Sequence, residues 1–109
     1  MPDEELVYRI ESLPADHAHD DDLLAIVGSN RHFFVRQEAA KRIRDAERLK
    51  AFAHDRHIGQ ILARQMRREA DAAYLERLAR EGRHLEVRNA AAAQLSLLRA
   101  ALRRKQQPR

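Results

Sequence analysis

An internal repeat runs through most of this sequence. The segment that begins at Val35 returns 23 residues later at Ile58 and 52 residues later at Val87. In this overlay six positions are apolar in all three copies, with the spacing of one face of a helix. The six sets are Leu23/Ala46/Leu75, Ile26/Leu49/Leu78, Val35/Ile58/Val87, Ala39/Leu62/Ala91, Ala40/Ala63/Ala92 and Ile43/Met66/Leu95. The repeat predicts stacked helical hairpins, because one hairpin alone buries too little apolar surface to offset its loss of chain entropy.

The composition favours helix throughout. Ala, Arg and Leu, all strong helix formers, supply 19, 18 and 13 of the 109 residues, whereas Val and Ile are few and Thr is absent. Breakers and capping residues divide the chain into seven predicted helices, at about 4–13, 21–29, 33–44, 46–54, 57–68, 71–81 and 85–105. We therefore expect an all-α fold.

Two copies of the repeat share a more specific block. Residues 35–40 and 87–92 both read Val-Arg-x-x-Ala-Ala, and Arg-His precedes both at the same distance. This block resembles the second helix of bacterial HEAT-type repeats, and the 23-residue spacing is similar to the shorter leucine-rich-variant repeats. The resemblance covers about residues 21–98. The middle copy departs from it, because Gly59 stands where the others have Arg36 and Arg88.

The resemblance implies a short right-handed α-solenoid of about three HEAT-like hairpins, with an N-terminal helix and a long C-terminal helix. We accordingly divide the chain into an acidic N-terminal helix and loop (1–20), a HEAT-like repeat domain (21–105) and a basic tail (106–109). Families of this kind usually act as protein-binding scaffolds, and a minority bind nucleic acid.

Charge is unevenly distributed along the chain. Residues 1–22 hold eight acidic groups and one basic group, a net charge of −7, and residues 23–109 carry +11, which together give the overall +4. A body of +11 attracts polyanions. The alternative is a solvated surface on which arginines pair with glutamates four residues away, as Glu38 with Arg42 and Glu76 with Arg80.

The candidate partner-binding or anion-binding residues are the Arg-His pairs that precede the second helix of each hairpin, with the arginines of the block. They are Arg31, His32, Arg36, Arg56, His57, Arg83, His84 and Arg88. Backbone N–H groups at a helix N-terminus favour anions, and an adjacent guanidinium adds a forked donor. A stack would place all three Arg-His pairs along one edge. The alternative is that they are a relic of duplication with ordinary turn chemistry.

Several chemistries are excluded or disfavoured. With no cysteine there is no thiolate chemistry, and the His17/His19 and His54/His57 pairs supply too few ligands for a zinc site. No carboxylate pair or serine stands in a catalytic pattern, so we expect no enzyme activity, no cofactor and no metal. The longest strongly apolar run has five residues, at 23–27, and the N-terminus is acidic, so we expect a cytoplasmic protein without membrane contact.

The function we expect is therefore a protein–protein interaction scaffold that binds an acidic segment of another protein. The alternative is a nucleic-acid-binding protein that uses the Arg-rich surface, with residues 1–22 as an internal competitor. Only five aromatic residues are present to stack on bases, and most are assigned to the core.

The stripe of Leu95, Leu98 and Leu102 either caps the stack or pairs with a second molecule, so the chain is a monomer or a homodimer through its C-terminal helix.

Overall fold

A computed structural model describes residues 1–14 and 17–106. Helices make up 79% of it, and these residues contain no strand. The six α-helices are α1 (Asp3–Glu11), α2 (Asp20–Val27), α3 (Phe33–Arg42), α4 (Arg56–Gln65), α5 (Ala72–Glu81) and α6 (Leu85–Gln106). Short 3-10 segments at His17–His19, Ala46–Phe52 and Glu69–Asp71 precede α2, α4 and α5. The all-α prediction is confirmed; of the predicted basic tail, residues 107–109 lie outside the described part.

The predicted helices all appear, with differences at their ends. The segment predicted as a helix over 46–54 is a 3-10 helix, begun by the Asp45 carboxylate, which accepts from the backbone N–H of Glu47 at 3.1 Å. α3 and α4 end earlier than predicted, because Ile43 and Met66 adopt extended backbone angles. Both side chains remain buried, so the chain leaves each helix where its last apolar residue enters the core.

The helices pack in a regular order. α3 lies against α4, and α4 lies against α6, so the second helices of the hairpins form a row, with α1 on the outer side of α3. Each also packs against the element before it in the chain, α3 against α2, α4 against Ala46–Phe52 and α6 against α5. The described residues measure 53 × 31 × 18 Å along their principal axes.

The apolar positions shared by the three copies form the core. All three members of the Val35/Ile58/Val87, Ala39/Leu62/Ala91 and Ile43/Met66/Leu95 sets are buried. Ala40 and Ala63 are fully buried as well, but Ala92, the third member of their set, is exposed. The difference follows from position in the row. Another second helix packs beyond α3, which carries Ala40, and beyond α4, which carries Ala63. α6, which carries Ala92, is the last of the row.

None of the described helices combines the length and the apolar character needed to cross a bilayer.

Candidate anion-binding site

The Arg-His pairs come together along one edge of the protein, which we call the Arg-His edge. The Phe33 ring, at the start of α3, stacks on His57 at the start of α4 with ring centroids 4.7 Å apart. The Arg56 guanidinium pairs in turn with Glu86 in the first turn of α6 at 3.2 Å. The N-terminal ends of α3, α4 and α6 are therefore neighbours in that order.

Contacts within the chain occupy several of these side chains. Arg31 donates to the Asp3 carboxylate at 2.9 Å and to the Met1 carbonyl at 3.0 Å, and so fastens α1 to the turn before α3. His32 is the N-cap of α3, and its Nδ1 accepts from the Phe34 backbone N–H at 3.2 Å. Arg88 donates to the Gly82 carbonyl at 2.8 Å and closes the turn between α5 and α6.

Arg36 joins two hairpins through two hydrogen bonds of its guanidinium group. Its Nε donates to the Val27 carbonyl at the end of α2 at 2.6 Å, and a terminal nitrogen donates to the Asp55 carboxylate at 2.8 Å. Asp55 is also the N-cap of α4 and accepts from the backbone N–H groups of His57 and Ile58. Both members of the ion pair are less than one fifth exposed. Arg36 therefore has a structural role that its place in the repeat block does not reveal.

These contacts lower the pKa of Asp55. Burial alone raises the pKa of this carboxyl, but hydrogen bonds from the Ile58 N–H, the Arg36 guanidinium and the His57 N–H outweigh it. The pKa lies below its ordinary value as a result.

Close packing of α4 on α6 explains why the middle copy has a glycine at position 59. A Cβ at Gly59 would lie 2.8 Å from Cγ2 and 3.1 Å from Cγ1 of Val87, and 3.0 Å from the Ala53 carbonyl oxygen. Any side chain at this position would push α6 away from α4, so the arginine of the other copies is excluded here.

The remaining part of the Arg-His edge is more open. Arg83 is exposed and lines a groove of about 310 Å³ with His54, Tyr74 and Arg77.

The assignment of most aromatic residues to the core was wrong. Tyr8, Phe33 and Phe34 are exposed, and Phe52 and Tyr74 are half-buried.

A second cationic surface, not found from the sequence, lies at the opposite ends of the same helices. Lys41, Arg42, Arg44 and Arg67 line one depression of about 440 Å³, together with Gln65 and Ile43. We call these four cations the cationic edge. An adjoining depression of about 270 Å³ shares Arg44, Gln65 and Arg67. The edge arises because α3 and α4 pack side by side and end at the same level.

The cations of this edge are largely free of carboxylates. Lys41 pairs with Glu38 at 3.2 Å, but within residues 1–14 and 17–106 no carboxylate lies at ion-pair distance from the guanidinium groups of Arg42, Arg44 or Arg67. The partial negative charge of a helix C-terminus explains cations in the last turn of α3. It explains Arg44 and Arg67 less well, because both follow the helix ends.

The predicted helical ion pairs do not form in the described part of the chain. Glu38 pairs with Lys41 instead of Arg42, and Glu76 pairs with Arg99 of α6, at 3.5 Å, instead of Arg80. The second of these pairs links α5 to α6, which i,i+4 spacing could not indicate.

The acidic N-terminal region is partly built into the fold. Ile10 is buried, and the buried Asp20 carboxylate accepts from the backbone N–H groups of Arg44 and Asp45, at 3.1 and 3.3 Å. Asp21 pairs with Arg48. The acidic start of α2 therefore lies close to the cationic edge, but the Asp20 carboxylate already accepts hydrogen bonds from backbone N–H groups there.

No three His, Asp or Glu side chains of the described residues converge as a metal site.

The sequence matches no family model, and it has no match among curated proteins or solved structures.

Proposed function

We propose that this chain is a non-catalytic interaction module of the HEAT-like repeat type, which binds an acidic segment of another protein at its cationic edge. The observation that carries this proposal is the depression between the ends of α3 and α4. Four cations line it, and three of them have no carboxylate partner in the described part of the chain. Clustered guanidinium groups repel one another, and a ligand carboxylate relieves that repulsion.

The proposal includes a short right-handed α-solenoid, and the contacts between hairpins support it. Gln65 and Gln94 occupy equivalent repeat positions, and each donates to a carbonyl at the end of the preceding second helix. Gln65 reaches the Lys41 carbonyl at 3.5 Å, and Gln94 reaches that of Met66 at 3.0 Å. The radius of gyration of 15.2 Å exceeds the roughly 13 Å of a typical domain of this length. Stacking in one direction produces both features.

The chemistry of the edge favours carboxylates. A guanidinium group presents parallel N–H donors that match a carboxylate, and this chain already makes such a cluster where Arg68 meets Asp71 and Glu47. The lining of the depression contains no aromatic ring on which a base would stack. An acidic peptide therefore fits the edge better than a single-stranded nucleic acid does.

Fluorescence anisotropy with a labelled Asp/Glu-rich peptide tests the proposal. We expect the wild-type chain to bind the peptide and the affinity to fall as salt is added. The double variant Arg42→Glu/Arg67→Glu should bind about tenfold more weakly or worse, which corresponds to about 1.4 kcal/mol. The matched control Arg80→Glu/Arg83→Glu changes the net charge equally, at the last turn of α5 and at Arg83 of the Arg-His edge, and should retain most of the affinity.

Three results would contradict this assignment. Equal losses in both double variants would indicate attraction by net charge alone. A loss confined to Arg80→Glu/Arg83→Glu would place the binding at the Arg-His edge. Binding of a labelled DNA duplex with a steep salt dependence, and none of the peptide, would favour the nucleic-acid alternative.

A further inference from the structure

One side of α6 is left uncovered at the position where, in α3 and α4, the next second helix packs against the equivalent side. Ala40 and Ala63 are buried beneath the next second helix, whereas the equivalent Ala92 is exposed. Two leucines of the same helix, Leu85 and Leu97, are 58% and 66% exposed. The terminal unit of a helical stack ordinarily presents a polar outer face to water. The exposed side of α6 is mixed instead: Leu85, Ala92 and Leu97 stand among polar residues such as Asn89 and Ser96 and remain open to a partner.

The leucine stripe predicted for a cap or a dimer does not lie on this face. Leu95 and Leu98 are buried, and Leu102 packs against the core, since α6 lies along α4 and α5. The stripe therefore caps the chain's own stack, and any partner of α6 meets the opposite side.

A separate line of exposed residues on α6, about a third of a turn around the helix from Ala92, pairs opposite charges and a small with a large apolar residue about its midpoint. Glu86, Ala93, Leu97 and Arg104 follow one another at intervals of seven, four and seven residues, so they lie along one stripe of the helix. The midpoint between Glu86 and Arg104 falls at Leu95, and so does the midpoint between Ala93 and Leu97. All four residues of the stripe are exposed.

We propose that α6 pairs with α6 of a second copy of this chain, antiparallel, about a two-fold axis at the level of Leu95. In that arrangement Glu86 of each copy lies level with Arg104 of the other, and each Leu97 packs over the Ala93 of the other. Because an isologous contact repeats every interaction, the dimer contains two such ion pairs and two such apolar contacts. A parallel pairing would instead set Arg104 against Arg104, so the charges select the antiparallel one. Opposed helix dipoles favour the same choice.

The proposed contact is accessible in the single chain. The Ala93 methyl leaves room for the Leu97 side chain, and Ala90 and Ala100, which flank the stripe, are small enough for the two axes to approach to about 8 Å. Glu86 contacts Arg56 in the single chain, but both side chains are about half exposed, so that pair costs little to exchange. This inference does not depend on the ligand of the cationic edge.

Sedimentation velocity of the full chain over a concentration series tests the pairing. We expect the wild type to form dimers as concentration rises and Leu97→Asn to weaken the dimer at least tenfold. Tyr8→Asn, which removes an equally exposed apolar side chain from α1, should leave it unchanged. Circular dichroism establishes that each variant is folded.

A charge exchange makes the test specific for the antiparallel arrangement. Glu86→Arg alone and Arg104→Glu alone should each weaken self-association at least tenfold, because each sets like charges against each other at both ends of the contact. A mixture of the two variants should form a heterodimer, because every facing pair is then of opposite sign. The proposal is overturned if the wild type remains monomeric, which would assign the face to a different partner. It is equally overturned if the single variants dimerise as tightly as the wild type, or if the mixture associates no better than either variant alone.

Discussion

The close approach of α4 to α6 at Gly59 makes a quantitative prediction for Gly59→Ala. On helix propensity alone, alanine inside α4 would stabilise the protein by about 1 kcal/mol. The added Cβ would, however, lie 2.8 Å from a methyl of the fully buried Val87 and 3.0 Å from the Ala53 carbonyl. Overpacking of this kind costs about 1–3 kcal/mol, and the backbone carbonyl cannot rotate away. We expect a net loss of about 1 kcal/mol in the free energy of unfolding.

The partner substitution separates the clash from other effects. Val87→Ala removes two buried methyl groups and should cost about 2–3 kcal/mol, with the cavity included. In the double variant the new Cβ fills part of that cavity, so the combined loss should be smaller than the sum by about 1–2 kcal/mol. Coupling of that size is the energetic signature of two helices in direct contact.

Urea unfolding followed by circular dichroism measures all of these free energies. Gly28→Ala is the matched control, because its Cβ would meet its nearest atoms at an ordinary 3.6 Å and its backbone angles suit alanine. We expect that variant to lie within about 0.5 kcal/mol of the wild type. A Gly59→Ala chain more stable than the wild type, or additive losses in the double variant, would refute the packing of α4 on α6 described above.

Two further predictions concern buried or partly buried carboxylates. Asp55→Asn keeps a capping side chain but removes the charge that faces Arg36, and we expect it to cost about 1–3 kcal/mol at neutral pH. Because the folded-state pKa of Asp55 lies below the ordinary 3.8, its contribution is present above that value and disappears as the pH falls through the folded pKa. Urea titrations should therefore show the cost shrinking towards pH 3, and a cost independent of pH would contradict the ion pair. Asp20→Ala deprives the Arg44 and Asp45 N–H groups of their acceptor and should cost about 1–3 kcal/mol, against less than about 1 kcal/mol for the exposed Asp22→Ala. Thermal melts of the two variants compare them directly, and equal melting temperatures would mean that Asp20 is not a buried acceptor.

The repeat predicted the core more accurately than it predicted the contacts of the charged side chains. Five of the six repeated apolar sets occupy buried or half-buried positions, because the side that packs against a neighbouring helix is encoded by local periodicity. The Arg-His pairs stand at or just before the starts of α3, α4 and α6, which are neighbours. Their partners could not be anticipated, since Arg31 meets Asp3 across 28 residues and Arg36 meets Asp55 across 19. No spacing rule for a single helix reaches that far.

The cationic edge could not be predicted for the same reason. Lys41 and Arg42 end α3, Arg44 follows that helix, and Arg67 follows α4. Nothing in their order along the sequence says that the two ends lie side by side, or that the nearby Asp20 is occupied by backbone N–H groups.

Local interactions, then, were enough to decide the helical class, the division into hairpins and the residues that face inward, since apolar spacing and capping act within a few turns. Tertiary packing alone decided which charges are paired and which remain free, because an ion pair depends on distance in space. It also decided that Ala92 is exposed while Ala40 and Ala63 are buried, since these equivalent residues differ only in whether another helix covers them.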